Sequence, residues 1–283
     1  MKTITPTISQ LRMLSSIKGK QWMMLPESMQ TFALAALDVP EKANSLNIQI
    51  EDFFELRPEA VLDADGIAHI HIHGALVDSC AAIYEKLGLC TRYSTIRGEV
   101  AAAVEQGAKG ILFHANSPGG TVSGCVEAAR EIMEISIPTA AYCSGLACSA
   151  CYKLIAGTDA IIASESATVG NIGTIMSWVD CSEFWKESGI EFKALTSEGA
   201  DLKSTFHLEP NAAQIAFLQE GIDQAGRQFR DHVAAGREKA GAEIDPEIWR
   251  AGWYSGERAG ALGLIDGIGS AEEARQWLVA RAI

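Results

Sequence analysis

A chain of 283 residues, 48% hydrophobic and 21% charged, carries enough apolar material for one large α/β domain or two small ones. Its formal net charge of −13, from 23 basic and 36 acidic side chains, argues against a nucleic-acid binder, which needs a basic face, and against docking on anionic lipid. Seven cysteines without a compact repeated spacing read as reduced thiols rather than a disulfide framework.

Residues 1–60 read as an N-terminal extension and residues 61–283 as the main domain. The longest apolar run near the start, Ala33 to Leu37, is too short for a signal-peptide core or a membrane span, so a cytoplasmic protein without a membrane anchor is expected. Thr31 to Leu37 reads as a short helix ended by Asp38-Val39-Pro40, because the residue before proline disfavours helix. Glu41 to Arg57 is polar and reads as a linker.

Asp63-Ala64-Asp65-Gly66 marks a turn, and Ile67 to Val77 then alternates as a strand. Ile70 and Ile72 face one side, with His69, His71 and His73 on the other. A comb of imidazoles invites a zinc reading, but no further ligand follows at convincing spacing, so no metal is expected. Ala81 to Thr91 reads as a short mobile segment. Tyr93 to Gln106 is a predicted helix with Ile96, Val100 and Val104 on one face.

Lys109 to Ala115 reads as a buried strand, followed by the tight turn Asn116-Ser117-Pro118-Gly119-Gly120 and a helix over Val122 to Ile135. Further on, Asp159 to Ala163 and Ile190 to Thr196 read as strands, and Ala167 to Met176 as a β-rich, glycine-punctuated stretch. Ser182 to Ser188 reads as a helix. Asn211 to Arg237 reads as a long helix with Ile215, Leu218, Ile222 and Phe229 on its apolar side. A short helix over Pro246 to Ala251, a strand and turn from Trp253, and a last helix from Ala271 to Ala280 complete the chain. The β-then-α rhythm between residues 67 and 200 predicts α/β units around a largely parallel sheet flanked by helices.

The stretch from Ala140 to Tyr152 is the chemical centre of this reading. An apolar strand, Ile137 to Cys143, runs through small residues into a helical pattern beginning near Ser149. A hydroxyl at such a turn either caps the helix or stands exposed as a nucleophile near unpaired N–H groups. Cys148 and Cys151 bracket Ser149 as a C-x-x-C pair. With no second pair in the chain, a redox or zinc role is the weaker reading and small core thiols the simpler one.

Five segments, in order, resemble the SppA-type (signal peptide peptidase A) serine peptidases of the ClpP/crotonase fold. They are Asn116 to Gly120, Cys148-Ser149-Ala150, Thr168 to Gly173, Lys203 in its loop, and Tyr254 to Asp266. The resemblance covers roughly residues 65 to 280 and is strongest to the phage head-maturation, or capsid assembly, proteases. Gln21 to Glu27 resembles that branch's N-terminal extension, and Asp65 to Val77 its first core strand.

This resemblance implies a serine endopeptidase with a Ser–Lys dyad: Ser149 as nucleophile and Lys203 as general base. It also implies an oxyanion hole from the backbone of Gly119, Gly120 and Ala150, or of Ser149 itself. Thr168, Val169, Gly170, Asn171, Ile172 and Gly173 would line the substrate cleft and offer a strand edge to an extended polypeptide. No cofactor is implied. The partners would be a polypeptide substrate, such as a scaffold or capsid protein, and further copies of the chain. For Lys203 to accept a proton near neutral pH, its amine must fall from about 10.4 to roughly 7–8. Burial away from any carboxylate does that, so Lys203 is expected shielded and close to Ser149.

The chain departs from the family in two places. Cys151 stands where a smaller residue is usual and would narrow the cleft. The Lys203 loop is longer than usual and continues as Ser204-Thr205-Phe206-His207. Three other readings keep the fold: a soluble SppA-like protease acting on signal peptides, a catalytically silent assembly protein, and an acyl-CoA enzyme. The last lacks an evident acidic residue near the glycine turn.

Overall fold

The computed structural model describes residues 22–24, 57–177, 182–203 and 209–282. The helix expected at Thr31 to Leu37, most of the linker, and Ser204 to His207 lie outside the described residues. The strands are β1 (Trp22–Met24), β2 (Val61–Leu62), β3 (Ile67–His73), β4 (Ala75–Val77), β5 (Cys90–Arg92), β6 (Gly110–Ser117), β7 (Gly119–Thr121), β8 (Thr139–Cys148), β9 (Ala160–Ala163), β10 (Thr168–Gly170), β11 (Trp253–Ser255) and β12 (Gly267–Ile268). The helices are α1 (Ala82–Lys86), α2 (Tyr93–Glu105), α3 (Cys125–Met133), α4 (Ala150–Ile155), α5 (Ser182–Glu187), α6 (Ala212–Lys239), α7 (Gly256–Ala261) and α8 (Ala271–Val279). A 3₁₀ turn, Pro246–Arg250, precedes β11.

The main sheet runs β11-β10-β8-β6-β3-β2, and its centre, β10-β8-β6-β3, is parallel. The α/β class and largely parallel sheet expected from the β-α rhythm are therefore observed. The central strands read as apolar runs because both faces are covered. On one face Ile67, Leu112 and Ala140 pack under Ala274 and Leu278 of α8. On the other, Ile70, Ile72, Phe113 and Ala141 pack against Ile96, Ala128, Ala129, Leu154 and Ile155 of α2, α3 and α4.

β8 is long enough to serve two partners on one side. Its first half, Ala140 to Cys143, pairs with β9, and its last residues, Leu146 to Cys148, pair with β10. The β6–β8 register slips between Ala115 and Ser117. Asn116 holds that slip, its Oδ1 accepting the Leu146 N–H at 3.1 Å. A second, smaller sheet, β1-β7-β4-β5, stands beside the C-terminal ends of β3 and β6.

The histidines of β3 do sit opposite Ile70 and Ile72, half-buried. His69 Nδ1 lies 2.9 Å from His114 Nε2, and the His71 and His114 rings stack at 4.7 Å. Burial holds His71 and His114 neutral, lowering each to about 4.

Three expectations need correction. Ala81 to Thr91 is not featureless: it carries α1 and β5, tied together by Glu85, which accepts from Arg92 N–H and Nε at 2.9 and 2.7 Å. Ile190 to Thr196 is not a strand. No described strand pairs with it and Leu195 is 101% exposed, so the alternation has no core face to bury. In α6 the apolar stripe divides. Phe229 and Val233 are buried, but Ile215 and Phe217 near the start are 42% and 54% exposed. The helix is anchored by its second half, where Gly236 lies so close to α4 that a Cβ would fall 2.2 Å from the Ala156 carbonyl oxygen.

Candidate active site

Ser149 stands where β8 ends and α4 begins, with φ 55° and ψ −121°. A non-glycine residue there is strained by about 1–3 kcal/mol and persists only where its surroundings hold it. Two bonds do so: the Ser149 N–H donates to the Gly170 carbonyl at 2.8 Å, and its own carbonyl accepts from the Lys153 N–H at 2.9 Å. The same sharp strand-to-helix geometry presents the nucleophile in other hydrolases. The side chain caps nothing: Ser149 is 1% exposed and its Oγ has no hydrogen-bond partner among the described residues. The plain helix-cap reading therefore fails on geometry. The positive end of the α4 dipole adds little here, because α4 has only six residues.

The glycine turn lies alongside. Ser117 pairs with Ala147 of β8, and β7 packs against α4. Ser117 Oγ donates to the Gly74 carbonyl at 2.6 Å and accepts the Gly119 N–H at 3.2 Å. An oxyanion would compete with that bond for the Gly119 donor. Gly120 has a packing reason of its own: a Cβ would fall 1.7 Å from the Leu76 carbonyl oxygen. The Ser149 N–H is spent on Gly170; Ala150, the other expected donor on that side, is fully buried at the start of α4.

The cleft expectation changes in kind. Thr168, Val169 and Gly170 form β10, which lies between β8 and antiparallel β11, so both edges are taken and no strand can be added there. Asn171, at φ 57°, is tied down by its Nδ2 bond to the Ala251 carbonyl at 3.0 Å and its N–H to Gly252 at 2.7 Å. Ile172 and Gly173 line a pocket of about 240 Å³ against Gly226 and Arg230 of α6.

Cys148 and Cys151 are core thiols. Cys148 Sγ donates to the Thr168 carbonyl at 3.4 Å, and burial pushes that thiol up to about 12 and the Cys151 thiol well above its usual range. Cys151 is fully buried, so it does not narrow a cleft.

Lys203 is not shielded as the sequence reading expected. It is exposed on the turn after Ala200, its N–H bonded to the Ala200 carbonyl at 3.1 Å and its carbonyl to Gln214 Nε2 at 3.2 Å. The shielding expected of it is absent there. A different lysine has it. Lys153, four residues beyond Ser149 on α4, is 1% exposed, and its Nζ has no hydrogen-bond partner among the described residues. Burial lowers its pKa, opposed by the nearby Cys125 and Glu127. Its Nζ sits 5.5 Å from the Phe229 ring centroid, and His232 beside it is held to about 4, first by burial and then by the Lys153 charge. The sequence signal for Lys153 was present but unread: it interrupts the run Cys151-Tyr152-Lys153-Leu154-Ile155-Ala156, which has no polar face.

Two long-range ties support the turn from the C-terminal side. Tyr152 donates its hydroxyl to the Leu264 carbonyl at 2.8 Å. Arg237, fully buried, donates to Asp266 at 2.7 and 3.1 Å and to the Gly263 carbonyl at 3.0 Å, while Asp266 accepts the Ile161 N–H at 2.7 Å.

No helix among the described residues is long and apolar enough to cross a membrane. The chain is 33% identical over 175 residues to a candidate signal peptide peptidase SppA of Enterococcus faecium, covering 60% of this chain and 50% of that one. It is 26% identical over 208 residues to capsid assembly protease C of Escherichia phage lambda, covering 71% and 46%. The chain thus spans about half the length of these relatives. A solved structure of the 1510-N membrane-bound stomatin-specific protease with a substrate peptide aligns at TM-score 0.42 and 15% identity, over 71% of this chain and 74% of that one. The profile of peptidase family S49 matches residues 131–282, which include the Ser149 turn and its C-terminal ties, and the chain belongs to that family.

Proposed function

We propose that the chain is a serine endopeptidase in which Ser149 attacks the peptide carbonyl. One observation carries the reading: a strained, buried serine at a strand-to-helix turn, its hydroxyl left without a partner, in a chain of family S49. A hydroxyl is a weak nucleophile until a base takes its proton. The amine that accepts it returns it to the leaving nitrogen, and water repeats the cycle on the acyl-enzyme. Backbone N–H groups at Gly119 and Ala150 would hold the oxyanion, each donor worth about 10²–10³ in rate.

Lys203 is the proposed base on the strength of its motif; its loop must then fold over Ser149 when a substrate or a neighbouring copy arrives. Burial favours a second reading, in which Lys153 takes the role. That amine is buried, and burial lowers its pKa in the direction the role requires. The phage relative, a capsid assembly protease, makes scaffold or capsid proteins the first substrates to try, and the SppA relative makes signal peptides the next. A cytoplasmic homo-oligomer is part of the same proposal, with the exposed Ile215 and Phe217 of α6 as the apolar surface a second copy would cover.

The test is labelling by a fluorophosphonate across pH, with the modified residue mapped by mass spectrometry. Labelling confined to Ser149 and rising through pH 7–8 is the expected result; no labelling, or modification spread over other hydroxyls, removes the peptidase reading.

A further inference from the structure

β7 has two edges. One meets β4, where Leu76 lies opposite Gly120. The other is covered by β1, antiparallel, with Met24 opposite Gly119, Met23 opposite Gly120 and Trp22 opposite Thr121. This is the glycine strand that packs on α4 beside Ser149. A ladder of main-chain bonds accepts almost any extended polypeptide, so what holds β1 would equally hold a substrate. We propose that Trp22–Met24 is an intrachain plug: it occupies the outer edge of β7, and an extended polypeptide must displace it to pair there. Naming that polypeptide a substrate rests on the peptidase reading.

The geometry sets the consequence. An occupant on the same chain competes intramolecularly, without the dilution that a polypeptide from solution meets. A polypeptide arriving from solution must displace it, and bound polypeptide in turn releases the N-terminal segment.

The experiment uses the full chain in a Ser149→Ala background and a fluorescein-labelled synthetic peptide spanning residues 19–27, with binding read by anisotropy. Met23→Pro, which disfavours a paired strand at β1, is compared with the unmodified β1. Replacing Trp22, Met23 and Met24 together by glycine supplies a second variant should the first fold poorly, and circular dichroism checks both. The peptide is expected to bind either variant about tenfold or more tightly than the chain with β1 intact. Equal affinity in all forms, including no binding to any, overturns the proposal. Fluorophosphonate labelling of the Ser149 form is run in parallel. If that fails while the affinity difference persists, the peptidase reading falls and the intrachain plug stands.

A separate observation carries a modification site. Cys80 and Cys90 bring their sulfurs to 2.9 Å, across the connection from β4 to β5. Cys80 is part-exposed and Cys90 buried beneath it. We infer that this pair is a dithiol that a peroxide converts to a disulfide. The Cys80 thiolate attacks a peroxide oxygen, breaking the O–O bond to give a sulfenic acid and, after protonation, water. The Cys90 sulfur then displaces the second water to form the S–S bond, so two thiols and hydrogen peroxide give one disulfide and two waters. The hydrogen bond from Cys90 lowers the Cys80 thiol despite the opposing effect of burial, while the same contact and burial raise Cys90. This fits an attacking and a resolving sulfur.

Substoichiometric hydrogen peroxide followed by peptide mapping tests it. The expected product is a Cys80–Cys90 linked peptide, abolished by Cys80→Ser and reversed by dithiothreitol, with Cys125, Cys143, Cys148 and Cys151 unmodified. Oxidation of Cys80 to sulfinic acid without linkage, or no reaction at either sulfur, overturns it.

Discussion

The turn at Ser149 and the loop at Lys203 are the two halves of one proposed dyad, and they are built in opposite ways. Ser149 is clamped on both sides by backbone bonds, fully enclosed and strained. Lys203 is exposed, held through its backbone alone, and followed directly by residues outside the described structure. A nucleophile can be prepared in advance because its strain is offset by the sheet and helix around it. Lys203 has no such framework around its side chain. The difference teaches that a peptidase of this design is half assembled at rest, unless the buried Lys153 is the base, in which case it is complete.

Substitution separates those outcomes, beginning with the largest effect. Ser149→Ala should lower kcat/KM on a peptide substrate by about 10⁴-fold or more, measured against a denatured protein substrate. Activity equal to the parent would break the comparison outright.

The two amines come next. If Lys203 is the base, Lys203→Ala lowers kcat about 10³-fold or more, whereas Lys153→Met leaves kcat within about tenfold. The reverse pattern assigns the base to Lys153. In either case Lys153→Met should raise the urea midpoint, because an unpartnered buried amine costs about 1–3 kcal/mol.

The support behind the turn is smaller in its effect on rate but large in stability. Asp266→Ala leaves the buried Arg237 guanidinium without its carboxylate and should cost about 3–5 kcal/mol in denaturant unfolding. A loss under about 1 kcal/mol would show that the Ser149 region does not lean on the C-terminal segment.

The mildest test is pH. His71, His114 and His232 each sit at about 4 in the fold against an ordinary value near 6.5, so the unfolded chain takes up protons that the folded chain refuses. Their contribution is intact above about pH 6.5 and declines as the pH falls toward 4, with a limiting slope of about 1.4 kcal/mol per pH unit for each group. Replacing His114 by Phe should flatten that slope by one group, as seen in urea midpoints taken at intervals between pH 7 and 4.

Much of this molecule was legible in the chain. The apolar run of β6, the alternation of β3 and the β-α rhythm specify a parallel sheet because burial on both faces leaves few other patterns. Ser149 was legible as a turn residue between a strand and a helix. Other features were not, for physical reasons. The partners of Tyr152 and Arg237 lie 112 and 29 residues away, and no local pattern encodes such contacts. Lys153 reads as a surface charge unless the absence of a polar face around it is noticed. Ile190 to Thr196 carries a strand's alternation, but a strand also needs a neighbour, which the sequence of one segment cannot supply. The free edge assigned to Thr168–Gly170 failed for the converse reason: its neighbour, β11, comes from more than eighty residues later in the chain.

The C-terminal ties also bear on timing. Leu264 and Asp266 are made 112 and 105 residues after their partners Tyr152 and Ile161. On a ribosome, the segment from β8 to β9 leaves the exit tunnel well before the carbonyl and carboxylate that hold it. A nascent chain therefore carries its Ser149 turn before the ties to Tyr152 and Ile161 can form.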